Sequence, residues 1–338
     1  MSDDVLVSVI VPVLDEERHL ERALEHALGQ EGLDGELEVL VVDGGSRDRT
    51  RSIAARIAAA DPRVRLLDNP DRLIPHALNV GLRAARGEFV ARMDAHTWYP
   101  PGYLAVGVAR LRRGDVAQVS GPQLAEGDGT WSRRVALALT TKMGMGGATY
   151  RAAGAEREVD SGFTGMWRRA TLEAHEGWDE RWHVNEDGEL AARVRAAGGR
   201  IVCVPEMAAS YVPRDSLRGL GRQYWRYGQY RARTCLAHPE TMRRSHALPP
   251  AFVALAATAV LPGRIGSPGR LAVAAWSAAA VAASASVAGR DGVTPADLAT
   301  LPAIFATMHV SWGAGFVRGS ARFGPPVEAF LRVAGVKR

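Results

Sequence analysis

The chain has 338 residues, 47% hydrophobic and 23% charged, enough apolar material for one large or two smaller packed domains and too much for a disordered chain. Lys and Arg outnumber Asp and Glu only by 42 to 37, a balance that does not call for a nucleic-acid partner. Cys203 and Cys235 provide neither a disulfide framework nor metal-ligand spacing, which fits a reducing compartment.

The opening MSDDVLVSVIVP carries Asp3 and Asp4 where a secretory leader would carry basic residues, and Pro12 cuts its apolar run short. It reads as a first strand. Strand-length apolar runs then alternate with segments of helical period: VSVIVPV, ERHLERALEHAL, ELEVLVVD, DRTRSIAARIAAA, RVRLLD, LIPHALNVGLRAA and EFVARMD. The order is βαβαβαβ. Runs of Val, Ile and Leu without polar alternation predict strands covered on both faces, hence an α/β fold with a doubly wound, mostly parallel sheet. Ligands of such sheets bind beyond the carboxyl ends of the strands. The chemistry-bearing residues all follow strands: Asp15 and Glu16 the first, Asp43 to Asp48 the second, Asp94 and His96 the fourth. They are expected to meet at one edge. The turn VVDGGSRDRT frees the backbone to bend sharply, with Ser46 or Asp48 capping the helix that starts near Arg49. It is not a dinucleotide or P-loop fingerprint.

The series SVIVPVLDEE, VVDGGSRDRT and ALNVGLRAARGEFVARMDAH resembles the family 2 inverting glycosyltransferases of GT-A fold. With the later motifs the resemblance spans about two thirds of the chain. It implies that Pro12, Val13, Asp15 and Glu16 line the nucleotide pocket and that Asp43 reads the base. Gly44, Ser46 and Asn79 then join the residues that bind the nucleotide-sugar donor. Asp94 and His96 would occupy the family's Asp-x-Asp site, which holds the ribose and a divalent cation on the diphosphate. His96 replaces the commoner second Asp. Imidazole suits Mn²⁺ better than Mg²⁺, so the expected cation is Mn²⁺ ahead of Mg²⁺. Asp94-Ala-His96 followed by Tyr99 and Pro100 is also how the succinoglycan-type exopolysaccharide branch writes the motif.

Further along, Glu186 and Asp187 precede ELAARVRAA, a helix ended by Gly198 and Gly199. An acidic first turn favoured by the helix dipole is one explanation. The resemblance offers another: Asp187 as the base that takes the acceptor's proton, with Glu186 in support. Gly165, Met166 and Trp167 fall where the family has a loop under the acceptor sugar, and Trp167 is expected either to stack on that sugar or to lie in the core. Between these motifs, residues 140–160 hold Gly144, Gly146, Gly147 and Gly154, which predicts a mobile lid over bound donor.

Arg214, Arg218, Arg222 and Arg226 recur every four residues among Tyr224, Trp225, Tyr227 and Tyr230, the pattern of a helix at an anionic lipid surface. A solvated helix face is the alternative. Within it QYWRY resembles the Gln-x-x-Arg-Trp motif of membrane-bound relatives, which implies that Arg226 faces the diphosphate and Trp225 the acceptor. Beyond Ser245 three uncharged runs follow: Ala251–Leu261, Leu271–Ala288 and Leu298–Val317. The first is too short to span and is expected to be interfacial or re-entrant. The others are long enough to span, and a buried hairpin is the alternative. A spanning hairpin would put Arg264, Arg270, Arg318, Arg322, Arg332, Lys337 and Arg338 on one side, leaving the catalytic domain cytoplasmic at the cell membrane.

The expected whole is a GT-A glycosyltransferase domain over residues 1–230, followed by a helical membrane-associating region over 231–338. It would move a hexose from a nucleotide sugar, UDP-hexose first, to a lipid-linked saccharide in exopolysaccharide or cell-surface glycan synthesis. Two other functions stay open: a polyprenyl-phosphate hexose synthase, and a non-catalytic nucleotide-sugar-binding subunit of a polysaccharide assembly complex.

Overall fold

The computed structural model describes residues 5–146 and 154–336. Residues 147–153 of the expected lid lie outside the described residues, as do Asp3, Asp4, Lys337 and Arg338. The chain divides into two compact units, Met1–Leu124 with Thr149–Tyr211, and Ala125–Ala148 with Val212–Arg338.

In the first unit β1 (Val5–Val13), β2 (Glu36–Asp43), β3 (Val64–Asp68) and β4 (Phe89–Arg92) alternate with α1 (Leu20–Leu28), α2 (Thr50–Ala60) and α3 (Ile74–Ala84). All three pairings among these strands are parallel. The alternation along β1 shows why its sequence is apolar at every position but Ser8. Val7, Val9, Val11 and Val13 enter one core with Leu20 and Leu24 of α1, while Ile10 enters another with Leu78 and Leu82 of α3. From Val7 to Val11 every side chain is buried whichever way it points; Ser8 donates to the buried Glu38 carboxylate, and the others need no polar group.

Four later strands complete the sheet: β6 (Gln118–Gly121), β8 (Arg157–Glu158), β9 (Phe163–Arg168) and β10 (Ile201–Cys203). The strand order is β3-β2-β1-β4-β9-β6-β10-β8. Strand β9 runs antiparallel between β4 and β6. Gly165, Met166 and Trp167 therefore sit in a central strand, where a loop was expected. Helices α4 (Tyr103–Arg112), α7 (Arg169–Ala174) and α8 (Glu186–Ala196) belong to the same unit. A second, smaller sheet joins β5 (Thr97–Trp98), β11 (Ala209–Tyr211) and β7 (Gln123–Ala125). Because the chain winds from β1 through β2 to β3 and then returns to place β4 on the far side of β1, the carboxyl ends of β1 and β4 flank a topological switch point, where such sheets bind ligands.

The second unit is helical: α5 (Thr130–Leu139), α6 (Lys142–Met145), α9 (Leu217–Ala237), α10 (Arg244–Ala257), α11 (Ser267–Ala285), α12 (Pro295–Phe323) and α13 (Val327–Val333). The expected domain boundary near 230 falls inside α9, which runs unbroken because it packs along α12. Two short elements of the expected lid, α6 and β8, are regular where the glycines predicted no regular structure. In α9, Arg214, Arg218, Arg222 and Arg226 of the predicted stripe, the first lying just ahead of the helix, are all exposed. Helix α12 holds the third uncharged run, and it buries Leu301, Ile304, Phe305, Met308 and Phe316. Among the described residues no helix is long and apolar enough to cross a membrane. The two expected spans are corrected accordingly: the run in α12 packs against protein, and the run in α11 is diluted by alanine and serine.

Glycines set the α9–α12 distance. A Cβ at Gly228 would lie 2.0 Å from the Trp312 carbonyl oxygen, and one at Gly315 would lie 2.2 Å from that of Trp225. Gly228→Val is therefore expected to destabilise the protein by about 3 kcal/mol through overpacking, read as a lowered denaturant midpoint. An unchanged midpoint would mean that the two helices are free to separate.

Candidate active site

The turns after β1 and β2 are laced together. The Asp15 backbone, at φ 55°, donates its N–H to Ser46 Oγ at 2.9 Å, while Asp15 Oδ1 accepts from the Arg47 N–H at 2.7 Å. Glu16 N–H donates to Thr50 Oγ1 and Glu17 N–H to Asp48 Oδ2. Gly44 N–H reaches the Val13 carbonyl at 2.9 Å. Val13, Asp15, Glu16, Gly44 and Ser46 thus form one rim, with Pro12 in the strand that leads into it. Asp43 does not join it. Its carboxylate is fully buried, with Oδ1 accepting from the N–H and Oγ of Ser46 and Oδ2 from Arg51. The side chain expected to read a base buttresses the turn from inside.

Asn79 is also spent on structure. Its Oδ1 accepts from the Trp178 N–H, and its Nδ2 donates to the Trp178 carbonyl and to Glu180 Oε1. The amide pins the loop ahead of α8 to α3. Of the two places expected for Trp167, it takes the one in the core. The indole is 2% exposed and meets Trp178 edge-on in the core, so it cannot stack on a sugar.

The end of β4 carries the site's electrostatic centre. Arg92 and Asp94, two positions apart, turn to each other: Nε donates to Asp94 Oδ1 at 2.7 Å and a terminal nitrogen to Oδ2 at 3.2 Å. The other terminal nitrogen donates to Glu186 Oε1 at 2.8 Å. Arg92, Asp94 and Glu186 are all buried, and Gly165 stands opposite Arg92 on β9. A buried guanidinium is tolerable only when such partners surround it. Burial lowers the Arg92 pKa, but the charges of Asp94, Glu186 and Asp187 outweigh it and leave the group far above its ordinary value. Burial pushes the Asp94 carboxyl up, and Arg92, with His96 nearby, more than reverses this and holds it below the usual range. Glu186 goes the other way: burial dominates over Arg92, the neighbouring Asp187 charge adds to it, and the carboxyl is raised. Tyr99 fixes the strand end by accepting the Asp94 N–H at 2.9 Å.

Asp187 follows Glu186 in the first turn of α8, half-buried, with Oδ1 accepting from the Gly188 N–H at 2.7 Å. His96, also half-exposed, lies with Nδ1 3.3 Å from Glu16 Oε1, which ties the end of β4 to the rim after β1. The expected Asp94–His96 pair is thus divided between partners, Asp94 facing Arg92 and His96 facing Glu16. Among the described residues no three His, Cys, Asp or Glu side chains converge on one metal position. Trp225 and Arg226 are both exposed on α9 of the second unit.

Arg92 is the residue that the motifs left out, and Tyr99, present in the motif, has no expected role there. The signal for Arg92 was present in EFVARMD: an arginine inside an otherwise apolar strand must find buried partners, and a strand places positions 92 and 94 on one face.

The glycosyl transferase family 2 model matches residues 8–175, the segment that contains the rim, β4 and β9. The succinoglycan biosynthesis protein ExoA of Rhizobium meliloti is 32% identical over 324 residues, covering 94% of this chain and 97% of that protein. The putative glycosyltransferase EpsH of Bacillus subtilis is 33% identical over 97 residues, 29% of this chain and 28% of its own. Among solved structures, the mannosyltransferase PcManGT from Pyrobaculum calidifontis, in complex with GDP-Man and Mn²⁺, aligns with a TM-score of 0.53 at 23% identity over 99% of this chain and 88% of that one, a likeness of fold. A match that runs the length of both chains, on top of a family model centred on the switch-point residues, leaves one assignment: the chain belongs to glycosyltransferase family 2.

Proposed function

We propose that the protein is an inverting hexosyltransferase of exopolysaccharide or cell-surface glycan synthesis, taking its sugar from a nucleotide donor, UDP-hexose first, and passing it to a lipid-linked saccharide. The observation that carries this is the buried Arg92 bonded to both Asp94 and Glu186, which ties the Asp-x-Asp position to the pair that contains Asp187. Donor-side and acceptor-side groups share one cation. The similarity to ExoA over nearly its whole length supports the pathway class and a saccharide acceptor.

In this reading the rim from Pro12 to Glu16 receives the nucleotide. Asp187, the more exposed of the acidic pair, takes the proton of the acceptor hydroxyl as its oxygen attacks the anomeric carbon, and the nucleoside diphosphate departs from the opposite face. Glu186, held by Arg92, keeps the first turn of α8 in place. Asp94 and His96 would hold a divalent cation through an oxygen and a nitrogen donor, a set that would favour Mn²⁺ over Mg²⁺. Such a cation, when bound, neutralises the charge developing on the leaving group.

The test is to incubate purified protein with a panel of UDP- and GDP-sugars and Mn²⁺ and to follow nucleotide release. One donor should be consumed, faster with acceptor present. No release from any donor would favour the non-catalytic alternative. His96 gives a second expected outcome. His96→Asp should move the cation preference toward Mg²⁺ with activity retained in part, and His96→Ala should weaken cation-dependent binding of nucleoside diphosphate in calorimetry. An unchanged cation dependence in His96→Ala would remove His96 from the site.

A further inference from the structure

From Ser245 to Gly289 the only arginines, lysines or acids are Arg264 and Arg270, and His246 is held neutral by burial, its pKa pushed down to about 2. This segment forms α10, a 3-10 turn (Thr258–Val260) and α11. It is not hidden. Of α11 only a stripe through Gly269, Ala280 and Ser284 is buried, while Leu271 is 71% and Val281 62% exposed. At the tip, Val260 is 87% and Ile265 72% exposed. A helix that faces water normally carries charge on its outer side, and this one presents alanine, valine, leucine and serine. Continuous uncharged surface of this kind marks a contact site.

The tip is also built to do without water. The Arg270 guanidinium donates to the carbonyls of Ala259 at 3.2 Å, Leu261 at 2.9 Å and Gly263. Three loop carbonyls that would otherwise need solvent are satisfied by one side chain, the condition that a lipid environment sets for exposed backbone.

We propose that the α10–α11 hairpin is the surface by which this protein lies on a bilayer containing anionic lipid, with Val260, Ile265 and the outer face of α11 in the interfacial layer. Two features select lipid over protein. The aromatic side chains that would anchor a protein interface are turned inward, Phe252 stacked on Trp276 at 5.6 Å. The segment's only charges are arginines, which complement phosphate headgroups, and no acidic group opposes them. The proposal concerns attachment and is independent of the transfer reaction, since vesicle binding is measured without donor or acceptor.

The experiment is flotation of the full-length protein with vesicles of phosphatidylcholine alone and of equal parts phosphatidylcholine and phosphatidylglycerol. The wild type should float with both and more tightly with the anionic mixture. Val260→Asp with Ile265→Asp should weaken both by at least about tenfold, from the apolar area withdrawn. Arg264→Glu should weaken only the anionic case, by about fivefold. All three side chains are exposed, so circular dichroism should be unchanged. Full binding by the double variant overturns the proposal. So does a wild type that ignores vesicles but sediments as a dimer which the double variant dissolves, because the face would then be covered by a second copy.

Discussion

Arg92→Met is expected to destabilise the protein by about 4 kcal/mol at neutral pH and to abolish transfer, because it strands two buried carboxylates that now share one guanidinium. Methionine fills the volume, so the loss would report charge, not a cavity. Arg92→Lys should recover part of the stability, since an ammonium supplies one bond where the guanidinium supplies a bidentate pair to Asp94 and a third contact to Glu186. The pH dependence has a definite sign. In the wild type the Asp94 pKa is depressed, so its contribution is present above the unfolded carboxylate pKa and is lost as pH falls through the folded value. In Arg92→Met the unpaired Asp94 is raised instead, and it protonates more easily than in the unfolded chain. The deficit should therefore be greatest near neutrality and should shrink in acid. Chemical denaturation of both proteins across that range measures it. Equal stability at neutral pH would mean that Asp94 and Glu186 find other partners.

The second large effect is on chemistry alone. Asp187→Asn should lower transfer by about a thousandfold, the range for loss of a general base, while donor affinity stays close to that of the wild type. The amide keeps the size of the side chain and can still accept the Gly188 N–H bond that Asp187 Oδ1 accepts, so α8 should start as before. What it cannot do is take a proton. Glu186 is a poor substitute because it is buried and bonded to Arg92. Rapid transfer by Asp187→Asn would move the base elsewhere.

The first four strands were legible because burial on both faces writes itself as unbroken Val, Ile and Leu, and the rim residues because turns after such strands need Asp, Gly and Ser. The meeting of Arg92 with Glu186 was not. It bridges 94 positions and depends on β9 entering the sheet antiparallel, which no local pattern announces. Asp43, Asn79 and Trp167 show the opposite limit: a polar or aromatic residue at a motif position can be consumed by the scaffold. Asp43 is spent on Ser46 and Arg51, Asn79 on Trp178, and Trp167 on the core. In the second unit, alanine-rich runs satisfy a packed helix and a membrane helix almost equally. The buried Leu301, Phe305 and Phe316 decide α12, and they do so only once α9 is seen beside it.

Direct displacement with one carboxylate base has a single stereochemical consequence. The anomeric configuration of the product, read by NMR from a reaction with the accepted nucleotide sugar, is the measurement that bears most directly on it. An inverted linkage is predicted from attack opposite the leaving diphosphate with Asp187 as base. A retained configuration would contradict it, because retention needs either a second displacement or attack on the leaving-group face.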